Sequence, residues 1–120
     1  MSMNIHRGSI YMASLPITKN SSVQGGFRPV LVVQNNTGNT FSPTVQVIPL
    51  TSRIKRDLPI HTTIIGHGLD KESTALTEQM QTIDKTALKQ YIGRVDDDTM
   101  EKVNVCIMIQ LGIFVPNMTH

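Results

Sequence analysis

Arg28 offers more chemistry than any other residue in this chain, and its neighbours are chosen to present it. Gly25 and Gly26 let the backbone turn freely just before it, and Pro29 drives it into an extended conformation. Val30 to Val33 then form a run that is apolar on both faces, the mark of a central strand. A flexible lip thus delivers one guanidinium to the edge of a rigid element, as a phosphate or carboxylate site requires. Thr44 to Leu50 reads as a strand running back beside the first, so Thr51 at its end falls at the same sheet edge as Arg28, with Arg53 just beyond. Arginine supplies a fork of donors and a fixed charge for a developing phosphorane, and a threonine hydroxyl adds an orientable hydrogen bond. With a row of side chains at Thr77, Gln79 and Gln81 nearby, the cluster reads as a phosphate-binding site. Taken alone, the amide row reads as a solvated strand face.

Other chemistries find less support. The chain has no phosphate loop, zinc-ligand spacing or nucleophile elbow. His6, His61, His67 and His120 are scattered and read as surface or turn residues; His61 and His67 come first if a histidine must act as general base. Asp96, Asp97 and Asp98 could hold a cation, but consecutive helical residues point in different directions, so they read as a helix cap. The single cysteine, Cys106, excludes an internal disulfide and a cysteine-based zinc cluster and reads as a packed thiol.

The elements that must position Arg28 and its companions are short. A strand from Ile10 to Leu15 ends at Pro16, and a loop without apolar period covers residues 17–27. The central strand 28–34 is followed by a turn at Asn35–Asn39 and by the strand 44–50, where Pro49 demands an edge or a bulge. A polar connection at 51–57 carries three cations, and strands are expected over 59–65 and, without interruption, over 73–83, with a turn at 66–68 between them. Asp84 is expected to cap a helix bearing Leu88, Tyr91 and Ile92 and stopped by Gly93. A second helix starts at Asp96 and carries the stripe Met100, Val103, Cys106, Ile107 and Leu111 up to Gly112. The sum is an α+β domain around a curled sheet. Length points to one domain over 1–120, with tails at 1–5 and 114–120. Hydrophobic residues at 39% and charged ones at 17% exclude disorder, while a net charge of +2 is too mild to argue for nucleic acid by itself. No stretch approaches the roughly 18 apolar residues of a membrane span, so no membrane partner is expected, and neither is a signal peptide; the expected compartment is the cytoplasm.

Seven pieces, taken together and in order, resemble the MazF/PemK family of toxin endoribonucleases from type II toxin–antitoxin systems. They are Arg7-Gly8 with Ile10-Tyr11, GGFRPVLVVQNN from Gly25, SPT at Ser42–Thr44, LPIH at Leu58–His61, GLDKES at Gly68–Ser73, EQMQTIDK at Glu78–Lys85 and DDDTMEKV at Asp96–Val103. The resemblance spans residue 7 to about 113. It implies a small SH3-like β-barrel of five to seven mainly antiparallel strands with appended helices, one of them C-terminal, in a homodimer. It further implies cleavage of single-stranded RNA without metal or cofactor, leaving a 2′,3′-cyclic phosphate and a 5′-hydroxyl, and inhibition by an acidic antitoxin lying in the RNA groove. Carried over by motif, Arg28 is the principal catalytic residue and Thr51 holds the same phosphate. Ser22, Gln24, Ser73 and Gln79 touch RNA, Leu58 and Glu78 contact bases, and Arg53 joins them from the strand-end cluster. The loop before Gly25 becomes a lid over the groove. Three positions depart from the family pattern: Val23 replaces an acid, Ser9 an aspartate and Gln81 a basic residue. The competing reading is a non-catalytic barrel that binds a protein target, as the related gyrase-poisoning toxins do; the Arg28/Thr51 pair discriminates against it.

Overall fold

A computed structural model describes residues 4–53 and 58–113. Its strands are β1 (Ser9–Leu15), β2 (Gly26–Val32), β3 (Thr44–Thr51), β4 (His61–Ile64), β5 (Ser73–Leu76), β6 (Gln81–Asp84) and β7 (Leu88–Arg94). Two helices, α1 (Asn36–Phe41) and α2 (Asp97–Gln110), complete it, with 3-10 turns at Thr77–Gln79 and Lys85–Ala87. The sheet runs β4-β5-β3-β2-β1-β7, every pairing antiparallel, and β6 also pairs with β3. It is an open, barrel-like sheet rather than a closed one.

The two-sided apolar run behaves as its composition demands. Val30 and Val32 point into one cluster with Tyr11, Leu15, Val45, Val47 and Ile83. Leu31 and Val33 point into another with Ile10, Ile48, Leu50, Ile64 and Val103. Fully burying one such side chain contributes about 1.5–3 kcal/mol. A slip of one residue would exchange the two sets, so each face enforces the register chosen by the other. Ile5, in the expected N-terminal tail, is buried in the first cluster. Pro49 faces Val30 of β2; on the other side of β3 it falls between the stretch held by β6 and the stretch held by β5, where no ladder needs its missing N–H.

Three sequence expectations fail, each for a local reason. The turn at Asn35–Asn39 is largely helical: Asn35 Oδ1 accepts from Gly38 N at 2.8 Å and caps α1, while the buried Asn39 donates through Nδ2 to Gln34 O at 2.9 Å. Side-chain bonds, not propensity, carry this short helix. The single strand over 73–83 is two strands, because β5 and β6 dock on the same side of β3 at different registers and the 3-10 turn Thr77–Gln79 absorbs the offset. The helix expected after Asp84 is instead β7, paired with β1 through two register shifts. Leu88, Tyr91 and Ile92 have the sequence spacing of a helical stripe, but in β7 Leu88 joins the first cluster, Ile92 packs on the second, and the Tyr11 and Tyr91 rings meet edge-on at 5.5 Å.

Gly93 is therefore no helix stop. A Cβ there would collide with the His67 carbonyl, and one on Gly68 would collide with the Ile92 carbonyl. Two backbones cross in contact, with Gly68 at φ +92.

The second helix forms as expected. Asp96 accepts from Thr99 N at 2.8 Å as its N-cap, and Val103 and Cys106 are buried beneath it. Leu111, expected in the apolar stripe, is 57% exposed because it lies past the helix end. Cys106 Sγ donates to Pro59 O at 3.3 Å and lies 3.2 Å from Thr62 Oγ1, a packed thiol. No helix among the described residues is long and apolar enough to cross a membrane.

Gly93→Ala should destabilise the fold by about 1–3 kcal/mol in urea denaturation, the cost of overpacking a closed contact. Hydrogen bonding from Thr99, side chain before backbone, and then the nearby His67 and Lys102 hold the Asp96 carboxyl below its ordinary value. A carboxyl depressed on folding adds stability above its unfolded pKa of about 4, and that stability is lost as pH falls through the folded value. Asp96→Asn should accordingly flatten the acid limb of a Tm–pH profile below about pH 4.

Candidate functional site

The β2–β3 register puts the two predicted phosphate residues face to face. Its last paired step is Val30 with Pro49, and two residues further along the same line Arg28 lies opposite Thr51. Both line a cavity of about 440 Å³ together with Gln24, Arg53, Ser73, Phe27, Asp70 and Lys71.

Arg28 is oriented from the lip that precedes it. Its Nε donates to Gly25 O at 3.0 Å, which leaves the outer nitrogens of the guanidinium fork free of that bond. Burial first, and the neighbouring Arg53 second, lower its pKa from the ordinary guanidinium value. At neutral pH it stays cationic, and the pull of both causes is toward an anion: a bound phosphate would relieve the repulsion and restore lost solvation. Thr51 is 5% exposed, and its Oγ1 accepts from Arg53 N at 3.2 Å. With a lone pair engaged there, the hydroxyl proton is available to a ligand. Ser73 reaches the cavity wall, although its Oγ donates to Lys71 O at 3.1 Å.

The remaining predicted residues stand apart from the cavity lining. Ser22 and Gln79 meet each other instead: Gln79 Nε2 donates to Ser22 O at 3.2 Å, and Gln79 Oε1 accepts from Gln24 N at 2.6 Å. Glu78 places both carboxylate oxygens 3.0 Å from His61 Nε2. Leu58 accepts from His61 N at 2.9 Å through its carbonyl. His67 stands 3.9 Å from Asp96 Oδ2, at the backbone crossing rather than in the cavity. Residues Ile54–Asp57 of the basic connection lie outside the described residues. Among the described residues no group of three or more His, Cys, Asp or Glu side chains could hold a metal ion.

Asp70 and Lys71 are charged lining residues that sequence reasoning missed, as it missed the Phe27 ring. They belong to the segment from Gly68 to Ser73, whose charged pair sits between a left-handed glycine and the start of β5. That position was the available signal, but it reveals a cavity wall only once the 66–68 crossing over β7 is known. Of the three departures, Val23 is half exposed in the lip, Ser9 is buried at the start of β1, and Gln81 Nε2 reaches Gln79 O at 3.5 Å.

A family profile described as "PemK-like, MazF-like toxin of type II toxin-antitoxin system" matches residues 6–111. The chain belongs to this family. The toxin is 44% identical over 112 residues to the endoribonuclease MazF of Staphylococcus saprophyticus, covering 91% of this chain and 92% of that protein. Among solved structures it resembles a mycobacterial endoribonuclease in complex with its cognate antitoxin, with TM-score 0.73, 26% identity and coverage of 94% and 98%. It also resembles MazF from Deinococcus radiodurans, with TM-score 0.79, 21% identity and coverage of 92% and 99%. The seven-stranded antiparallel sheet and C-terminal helix agree with the fold that the sequence led one to expect.

Thr51→Val should remove the acceptor of the Arg53 N–H bond and cost about 1 kcal/mol in thermal or urea unfolding, whereas Thr51→Ser should retain most of it.

Proposed function

We propose that this toxin is an endoribonuclease that cuts single-stranded RNA by attack of a 2′-hydroxyl on the adjacent phosphate. The observation that carries this reading is that Arg28 and Thr51, near the ends of β2 and β3, line one cavity together with Arg53 and Lys71. The chemistry asks for no more than placement and charge. As the O2′–P bond forms and the P–O5′ bond breaks, negative charge grows on the non-bridging oxygens, where the Arg28 fork and the Thr51 hydroxyl can meet it. The 2′-hydroxyl proton leaves, the 5′-oxygen gains one, and the products are a 2′,3′-cyclic phosphate and a 5′-hydroxyl. Arg28 serves by charge, since a guanidinium is not deprotonated in proteins.

Arg53, Lys71, Gln24 and Ser73 then bind the strand on either side of the scissile phosphate, and the exposed Phe27 ring beside Arg28 offers a surface on which a splayed base can stack. Ser22, Leu58, Glu78 and Gln79 border that path. The toxin acts in the cytoplasm as a homodimer. An acidic antitoxin that competes for the same cations is its partner, in keeping with the mycobacterial relative solved with its cognate antitoxin. A barrel that only binds protein would have no use for an arginine fork facing a threonine hydroxyl.

The test is incubation of the purified protein with single-stranded RNA in excess chelator, followed by analysis of the ends. Cleavage with cyclic phosphate termini is expected, falling about 10²–10³-fold in Arg28→Ala. Intact RNA under these conditions, or an Arg28→Ala variant as fast as the parent, would overturn the reading.

A further inference from the structure

Among the described residues, Gln79 is the one amide whose two ends are both committed to the lip. Its Oε1 accepts from Gln24 N at 2.6 Å and its Nε2 donates to Ser22 O at 3.2 Å, so the side chain pairs with backbone as a neighbouring strand would. The residue after Gln24 closes the lip from the other end. Gly25 lies so close to Pro16 and Ile17 that a Cβ would collide with the Pro16 carbonyl and come within 2.9 Å of Ile17 Cα. The same Gly25 holds Arg28, by accepting from its Nε at 3.0 Å. Gln81 Nε2, at 3.5 Å from Gln79 O, is a weaker tie on the latch residue itself.

These contacts form one chain of constraint from the 3-10 turn Thr77–Gln79, through residues 22–25, to the guanidinium. We propose that Gln79 is a positioning residue for Arg28: a latch that fixes the loop 16–25 against the sheet, so that the Gly25 carbonyl holds the arginine fork over the cavity. An RNA-reading role for Gln79 would need both ends of its amide to leave the lip, exposing the Gln24 N–H and the Ser22 carbonyl. The latch uses only backbone atoms of Ser22 and Gln24, so it does not depend on the identity of the neighbouring Val23. It rests on the reading of Arg28 as the phosphate residue, but its structural half stands independently.

The test joins an activity measurement to one that needs no substrate. Amide hydrogen exchange at Gln24, measured by NMR on the free protein, should accelerate at least tenfold in Gln79→Ala. In Gln79→Glu it should accelerate less, since the acceptor for Gln24 N is kept and only the donor to Ser22 is lost. On RNA, Gln79→Ala should lower kcat about tenfold, with KM changed less than threefold and the cleavage positions unchanged. Gly25→Ala, which forces the lip off Pro16 with the amide intact, should reproduce the loss of kcat. Unaltered Gln24 exchange in Gln79→Ala overturns the latch. Shifted cleavage positions with normal kcat would make Gln79 an RNA reader and overturn it as well. An Arg28→Ala variant that cleaves normally would refute the assignment of Arg28 instead, while the exchange result still decides whether the latch exists.

Discussion

The antiparallel register between β2 and β3 is the constraint on which the rest depends. It is fixed far from the chemistry, by two apolar faces that cannot both be satisfied in any other alignment. Because Arg28 and Thr51 extend that alignment past its last paired residues, the core places them opposite each other without any contact between them being needed. The pair sits past the last paired step of the two strands, on the wall of the cavity. A ligand can enter there at little cost to the sheet.

The charges around that opening are arranged against the protein's own interest. Burial first, and the neighbouring Arg53 second, disfavour the charge of Arg28. Such an arrangement spends folding stability on affinity for an anion, a common feature of sites that must bind charge strongly. It also explains why the lip is so heavily tied down: a repelled side chain on a free loop would swing into solvent. Glycines at 25 and 26 serve two different ends here, the first a close approach to Pro16 and the second a left-handed turn at φ +83 into β2.

The sequence carried the β1, β2, β3 and α2 assignments because each has a strong local signature: a β-branched run, a proline, an acidic cap. The Arg28/Thr51 juxtaposition was legible for the same reason, since it needed only two adjacent strands and their direction. What escaped was whatever depended on a third segment. The break at Thr77–Gln79 exists because β5 and β6 share β3, and the strand character of β7 because it pairs with β1; neither partner is visible within the segment itself. Gly93 shows the limit well. A glycine after an apolar stripe fits a helix stop and a crossing point equally, and only the His67 carbonyl distinguishes them. Likewise the Gln79 amide could be assigned to a ligand by type, but its pairing with residues 22 and 24 required their coordinates.

Cys106 carries a last consequence. The chain's single thiol is buried between α2 and β4, giving its proton to Pro59 O. Thiol reagents need to reach the sulfur, and Cys106 is buried while α2 is seated. It is silent while α2 is seated and becomes visible when the helix lifts from the sheet. The protein thus contains its own gauge of how often its C-terminal helix undocks, and that helix packs on the same 3-10 turn that carries Gln79.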